Sequence, residues 1–177
     1  MTKNLLLGLV ALVVIGSGAY FFINRSVKKT ETSQQPQAQG ATFDGKNASF
    51  TVNGKSVMLA NGVSETPIEN SSAKTTTRYF GNEATGDLNG DGYPDIAFLI
   101  TQDTGGSGLF YYAVVAVKTT VGYKTTNAFF IGDRIAPQST YIPPNSQELQ
   151  VNYAGRNPGE PMTMRPSAGA TLFLKVT

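Results

Sequence analysis

From Thr42 to Thr177 apolar residues recur either at every second position or in short unbroken runs. No stretch of ten or more residues free of Gly and Pro keeps the 3.6-residue period of a helix. Ala48–Val52 and Lys55–Leu59 flank Asn53-Gly54, a dipeptide that reaches positive φ easily and so suits a two-residue hairpin turn. Phe50 and Val52 alternate with polar neighbours, as do Val57 and Leu59, so each of these strands has one face to bury. Ile96–Thr101 and Phe110–Lys118 are continuously apolar, as expected of central strands covered on both faces. Thr75–Phe80, Ala128–Ile131, Ser139–Ile142, Glu148–Tyr153 and Thr171–Val176 are further β-branched and aromatic runs, and most prolines fall between the runs. The pattern predicts an all-β fold, either a small sandwich or a partly open barrel of about eight to nine strands.

The N-terminal segment is of another kind. Leu5 to Ile23 is 19 residues without a charge. As a helix it would be roughly 28 Å long, close to the hydrocarbon thickness of a bilayer, which predicts one N-terminal transmembrane helix within an anchor at 1–25. A signal peptide is the alternative, with Ser17-Gly18-Ala19 as its small-residue cleavage site. Cleavage there would leave Tyr20-Phe21-Phe22-Ile23 on an exposed new terminus, which favours an uncleaved segment. Residues 26–41 are rich in Gln, Ser and Thr without apolar periodicity, and read as a flexible linker to the β domain at 42–177.

The composition removes whole classes of chemistry. The chain has no Cys, no His and no Trp. It therefore has no disulfides, thiolate zinc site, iron–sulfur cluster, lipid-bearing Cys, imidazole ligand or Ser-His-Asp triad. The net charge of +2 divides unevenly: residues 1–41 hold four Lys+Arg against one Glu, and residues 42–177 hold ten against eleven Asp+Glu. A nearly neutral domain lacks the basic face that binds nucleic acid, so no nucleic-acid partner is expected. Arg25, Lys28 and Lys29 instead flank the apolar span. Read literally, the positive-inside rule draws that flank to the cytoplasm; the four-residue N-terminus and the Thr-rich, calcium-loop character of the domain favour placing residues 42–177 outside the cytoplasm.

One motif carries chemical content. Gly86 to Phe98 contains D-x-N-x-D-G-x-x-D at Asp87, Asn89, Asp91, Gly92 and Asp95. Oxygen ligands at loop positions 1, 3 and 5 converge when the chain curls. Gly at position 6 permits the turn, and Tyr93 at position 7 offers its backbone carbonyl. Three carboxylates and an amide in nine residues repel one another in an empty loop, and a hard divalent cation relieves that repulsion. All-oxygen ligation points to a structural Ca²⁺ held by Asp87, Asn89, Asp91, Tyr93 and Asp95. An EF-hand would place a bidentate Glu at position 12, where this chain has Phe98, so Asp95 at position 9 must supply the last carboxylate. This variant, followed by the apolar run Ile96–Ile100, resembles the calcium β-hairpin loops of FG-GAP repeats in integrin-type propellers. The likeness is confined to the loop: 136 residues with a single copy cannot supply the four or more blades of about 40 residues that a propeller needs.

The remaining motifs are weaker. Asp103-Thr104-Gly105 spells an aspartic-protease triplet, but there is one copy and Gln102 precedes it. Gly105-Gly106-Ser107-Gly108 lacks the following helix of a phosphate cradle and reads as a turn. Asp133 with Arg134, and Arg156 with Glu160, read as local ion pairs or solvated turns. Together with the Asp87–Asp95 loop, G-G-S-G-L-F-Y-Y at 105–112 and P-G-E-P-M-T at 158–163 are similar to a family of uncharacterised exported bacterial proteins, in some of which this domain accompanies META-type envelope domains. That resemblance covers roughly residues 70–177 and implies a bacterial cell-envelope location without implying an activity. The expected protein is a single-pass membrane protein, held in the cell membrane through residues 5–23. It presents a calcium-stabilised β domain as a binding or envelope-maintenance module, with an envelope protein or glycan as partner. The alternative is a carboxylate-based cell-wall hydrolase drawing on Glu83, Glu148, Glu160 and Asp133, since glycosidases need two carboxylates facing across a cleft.

Overall fold

The computed structural model describes residues 42–177 and, in the N-terminal segment, only residues 13–14 and 19–20; the rest of the predicted anchor at 1–25 and the linker at 26–41 lie outside the described residues. Residues 42–177 are all-β, with eleven strands in three sheets. The strands are β1 (Ser49–Val52), β2 (Lys55–Met58), β3 (Val63–Pro67), β4 (Lys74–Gly86), β5 (Asp95–Asp103) and β6 (Phe110–Thr119). They continue with β7 (Gly122–Thr125), β8 (Phe129–Asp133), β9 (Ala136–Tyr141), β10 (Leu149–Gly155) and β11 (Ala168–Leu174). The nine predicted runs are all strands. The two additional ones, β3 and β7, are short and largely polar edge segments that apolar periodicity does not reveal. Among the described residues the only helix is the 3₁₀ turn Gly45–Asn47, whose first turn is capped by the Asp44 carboxylate accepting from Lys46 N. No helix there is long and apolar enough to cross a membrane.

The largest sheet has six strands in the order β8-β6-β5-β4-β3, with β7 pairing the far end of β6. β9-β10-β11 form a three-stranded sheet and β1-β2 a hairpin. At the hairpin turn both Asn53 (φ 49°) and Gly54 (φ 79°) are left-handed, as a type I′ connection requires. β4 reaches thirteen residues, well beyond the predicted run, because register shifts between Tyr79 and Gly81 and between Gly81 and Ala84 let it bend without ending.

The continuous apolar runs of β5 and β6 have a direct explanation. Phe98, Ile100, Tyr112 and Val114 face one way and pack with Phe50, Val52 and Leu59 from the hairpin region. Ala97, Leu99, Ala113 and Val115 face the other way and pack with Leu88, Ile142, Leu149 and Val151. Two cores thus share the β5-β6 pair, and complete burial of each large side chain contributes about 1.5–3 kcal/mol. The hairpin is tied to the large sheet at its own edge, where Ala128 N donates to the Thr51 carbonyl (2.7 Å) and Thr125 Oγ1 to the Ser49 carbonyl (2.6 Å).

Candidate metal centre

The Asp87–Asp95 segment joins β4 to β5, and two of its residues root it in the interior. Leu88 is 1% exposed and belongs to the second core; Asp95 is fully buried at the start of β5. A carboxylate with no solvent must have its acceptor sites filled. Asp95 Oδ2 accepts from Leu88 N (2.9 Å) and Oδ1 from Lys118 N (2.8 Å). One side chain therefore closes the loop on itself and fastens it to the end of β6.

Asp87 organises the exposed part. Its Oδ1 accepts from Gly90 N (2.6 Å) and Asp91 N (3.2 Å), and its Oδ2 from Gly92 N (2.8 Å). Asn89 Oδ1 accepts from Asp91 N (3.0 Å), and Asp91 Oδ1 from Tyr93 N (2.8 Å). Asn89 Nδ2 donates to Asp91 Oδ2 (2.9 Å), which brings the side chains at positions 3 and 5 into contact. The curl depends on left-handed backbone at Gly90 (φ 80°) and Gly92 (φ 84°). At Gly92 a side chain would meet open space, so conformation alone selects glycine there; at Gly90 an added Cβ would also collide with the Gln147 amide.

Asp87, Asn89 and Asp91 are thus gathered on one curled loop, with Tyr93 exposed beside them and Asp95 turned inward to the main chain. Among the described residues no three Asp, Glu, His or Cys side chains converge as a metal cluster. What the loop assembles is two carboxylates and an amide, with the Tyr93 carbonyl next in sequence. That donor set is all oxygen and carries two negative charges, which suits a hard divalent cation. Sequence spacing gives no hint of Lys118 or Gln147, which reach the loop from distant parts of the chain. A cleft of about 480 Å³ lies beside the loop, lined by Asp87, Gly90 and the Ile142–Gln147 segment.

Three of the four carboxylates of the hydrolase alternative are engaged locally. Glu83 accepts from the Tyr79 hydroxyl, and burial together with that acceptor pushes the Tyr79 phenol up. Glu160 accepts from Asn157 Nδ2 and from Asn157 N (both 2.9 Å), and these bonds hold its carboxyl below the ordinary value. Burial opposes ionisation of Asp133, but the Arg134 guanidinium, the Leu109 N–H and the nearby Arg156 outweigh it and keep that carboxyl low as well. A glycosidase acid requires the opposite shift. Glu148 is half-buried at the foot of β10. None of the four lines the cleft beside the loop.

Asp133 and Arg134 form the expected local ion pair (2.9 Å). Arg156 bonds the carbonyls of Arg134 and Met164 instead of Glu160. Asp103 Oδ1 accepts from Gly105 N (2.8 Å), a turn contact that accounts for the D-T-G triplet. Comparison with family models, curated proteins and solved structures finds no match for this chain.

Proposed function

We propose that the chain is a membrane-anchored, extracytoplasmic protein whose layered β domain is stapled by one structural Ca²⁺ ion and serves as a binding or envelope-maintenance module. The observation that carries this reading is the curl of the Asp87 loop: one carboxylate gathers the N–H groups of Gly90, Asp91 and Gly92 and leaves Asn89 and Asp91 clustered beside it. Asp87, Asn89, Asp91 and the Tyr93 carbonyl would hold the ion; Asp95, expected as a fifth ligand, has both oxygens engaged by Leu88 N and Lys118 N and fastens the loop that presents the others. The ion offsets the repulsion between the carboxylates and adds stability to the folded state alone. The apolar span 5–23 supports attachment to a membrane, and the Thr-rich, calcium-loop character of residues 42–177 supports placing them outside the cytoplasm. None of Glu83, Glu148, Glu160 and Asp133 lines the cleft beside the loop, which favours the binding module over the hydrolase.

In the test, the full chain in detergent is melted with millimolar calcium and with chelator. Calcium raises the midpoint of the wild type, and Asp87→Ala or Asp91→Ala abolishes the increment. Identical melts of the wild type under both conditions would remove the ion from the account. Placement is tested separately with Ser146→Cys, the sole thiol in such a chain. An impermeant thiol reagent labels it on intact cells, and labelling only after lysis would overturn the external position.

A further inference from the structure

The sheet edges of this domain are not treated alike. An exposed edge offers unpaired N–H and C=O groups to any other chain, and proteins blunt it with short length, charge, proline or a bulge. Here β2 is four residues long and begins at Lys55, and β3 carries Glu65 and ends on Pro67. β7 is four residues with Lys124, and β8 has a register shift between Phe130 and Gly132. β9 carries Pro137 and a shift between Pro137 and Ser139. β11 has none of these. It pairs β10 over seven consecutive positions, from Ala168↔Gly155 to Leu174↔Leu149, with no shift, and its sequence AGATLFL has no charge and no proline. It is the terminal strand of its sheet, so alternate backbone groups on its outer side have no strand partner among the described residues. Phe173 stands 56% exposed on it.

We propose that β11 is the interface of a two-fold homodimer, in which the β11 strands of two copies pair antiparallel about Thr171 and join the three-stranded sheets into one of six strands. The side-chain sizes along the strand select a second copy as the occupant. Three small residues, Ala168, Gly169 and Ala170, precede Thr171, and three large ones, Leu172, Phe173 and Leu174, follow it. Antiparallel self-pairing about Thr171 sets Leu172 opposite Ala170 of the partner subunit, Phe173 opposite Gly169 of the partner subunit, and Leu174 opposite Ala168 of the partner subunit. Every large side chain meets a small one, and the two Thr171 side chains meet each other. Opposed residues share a face of the sheet. A Cβ built on Gly169 meets nothing within 4 Å, so the space that the Phe173 ring of a second copy would cover is open. With no charge on the strand, like charges do not oppose each other across the two-fold axis. A strand from an unrelated chain would have no reason to match this gradient of size. The inference is independent of the metal reading.

The test uses the full chain, which has no native Cys. Under mild oxidation Thr171→Cys is expected to yield a disulfide-linked species of twice the monomer mass, because the two-fold pairing places the two thiols opposite each other. Val121→Cys, 94% exposed on the turn between β6 and β7, is expected not to do so. Thr171→Lys sets two ammonium groups face to face and weakens self-association about tenfold or more. Its fold is retained, because Thr171 is exposed and donates only to the Asn152 side chain. A wild type of monomer mass at every concentration overturns the proposal and leaves the edge to a strand of another protein. Cross-linking of Thr171→Cys no greater than that of Val121→Cys overturns it even if the chain dimerises elsewhere.

Discussion

Asp95 provides the sharpest separation of architecture from metal binding. Asp95→Ala removes a fully buried carboxylate and leaves Leu88 N–H and Lys118 N–H without acceptors. Each hydrogen bond to a charged group is worth about 1.5–3 kcal/mol, so the pair represents about 3–6 kcal/mol of folding free energy. At roughly 2.1 cal/mol/K of unfolding entropy per residue, a domain of this size loses about 3.5 °C of melting temperature per kcal/mol, which gives a fall of roughly 10–20 °C. Asp95→Asn keeps one acceptor oxygen but turns an NH₂ group toward the other donor, and so loses at least half as much. The assay is thermal unfolding of the full chain in chelator, followed by far-UV circular dichroism, so that no ion contributes. If both variants melt with the wild type in chelator and separate from it only in calcium, Asp95 acts through the ion alone. The reasoning from its buried hydrogen bonds would then be refuted.

Gly90→Ala forces an L-residue to φ 80° and drives its Cβ onto the Gln147 amide. A loss of about 1–2 kcal/mol is expected from the left-handed backbone. Only the part due to the collision returns in a Gln147→Ala background, so a double-mutant cycle by chemical denaturation that restored the whole loss would refute the conformational share. The Asp133 carboxyl lies below its unfolded value, so its contribution is complete above the ordinary carboxylate pKa and is lost as pH falls through the lower folded value. Denaturation midpoints of wild type and Asp133→Asn should therefore converge as pH falls through the acid range. A gap that stayed constant down to the lowest pH would contradict the ion pair with Arg134.

The strands with the strongest apolar content were legible in the sequence because each side chain of β5 and β6 is needed by one of two cores. Phe98 and Ile100 serve one and Ala97 and Leu99 the other, and the result is an unbroken apolar run. The Asn53-Gly54 turn was legible because its left-handed backbone restricts the residue choice. β3 and β7 were not, since an edge strand that buries little has no apolar period to display. The extension of β4 past Phe80 was hidden too, because its bends use Gly81 and a left-handed Asn82 (φ 48°), residues that ordinarily read as a turn. In the loop, spacing anticipated the local contacts among Asp87, Asn89 and Asp91. It could not anticipate that Asp95 would accept from Lys118, because a contact 23 residues away leaves no trace in local spacing.

The central claim is that the Asp87–Asp95 loop binds calcium, and direct titration of the full chain tests it. Equilibrium dialysis with labelled calcium should give one site per chain, half-saturated at about 0.1–1 mM as in extracellular modules, and Asp87→Ala should remove it. Binding that never saturates, or that is unchanged in Asp87→Ala, would contradict the account.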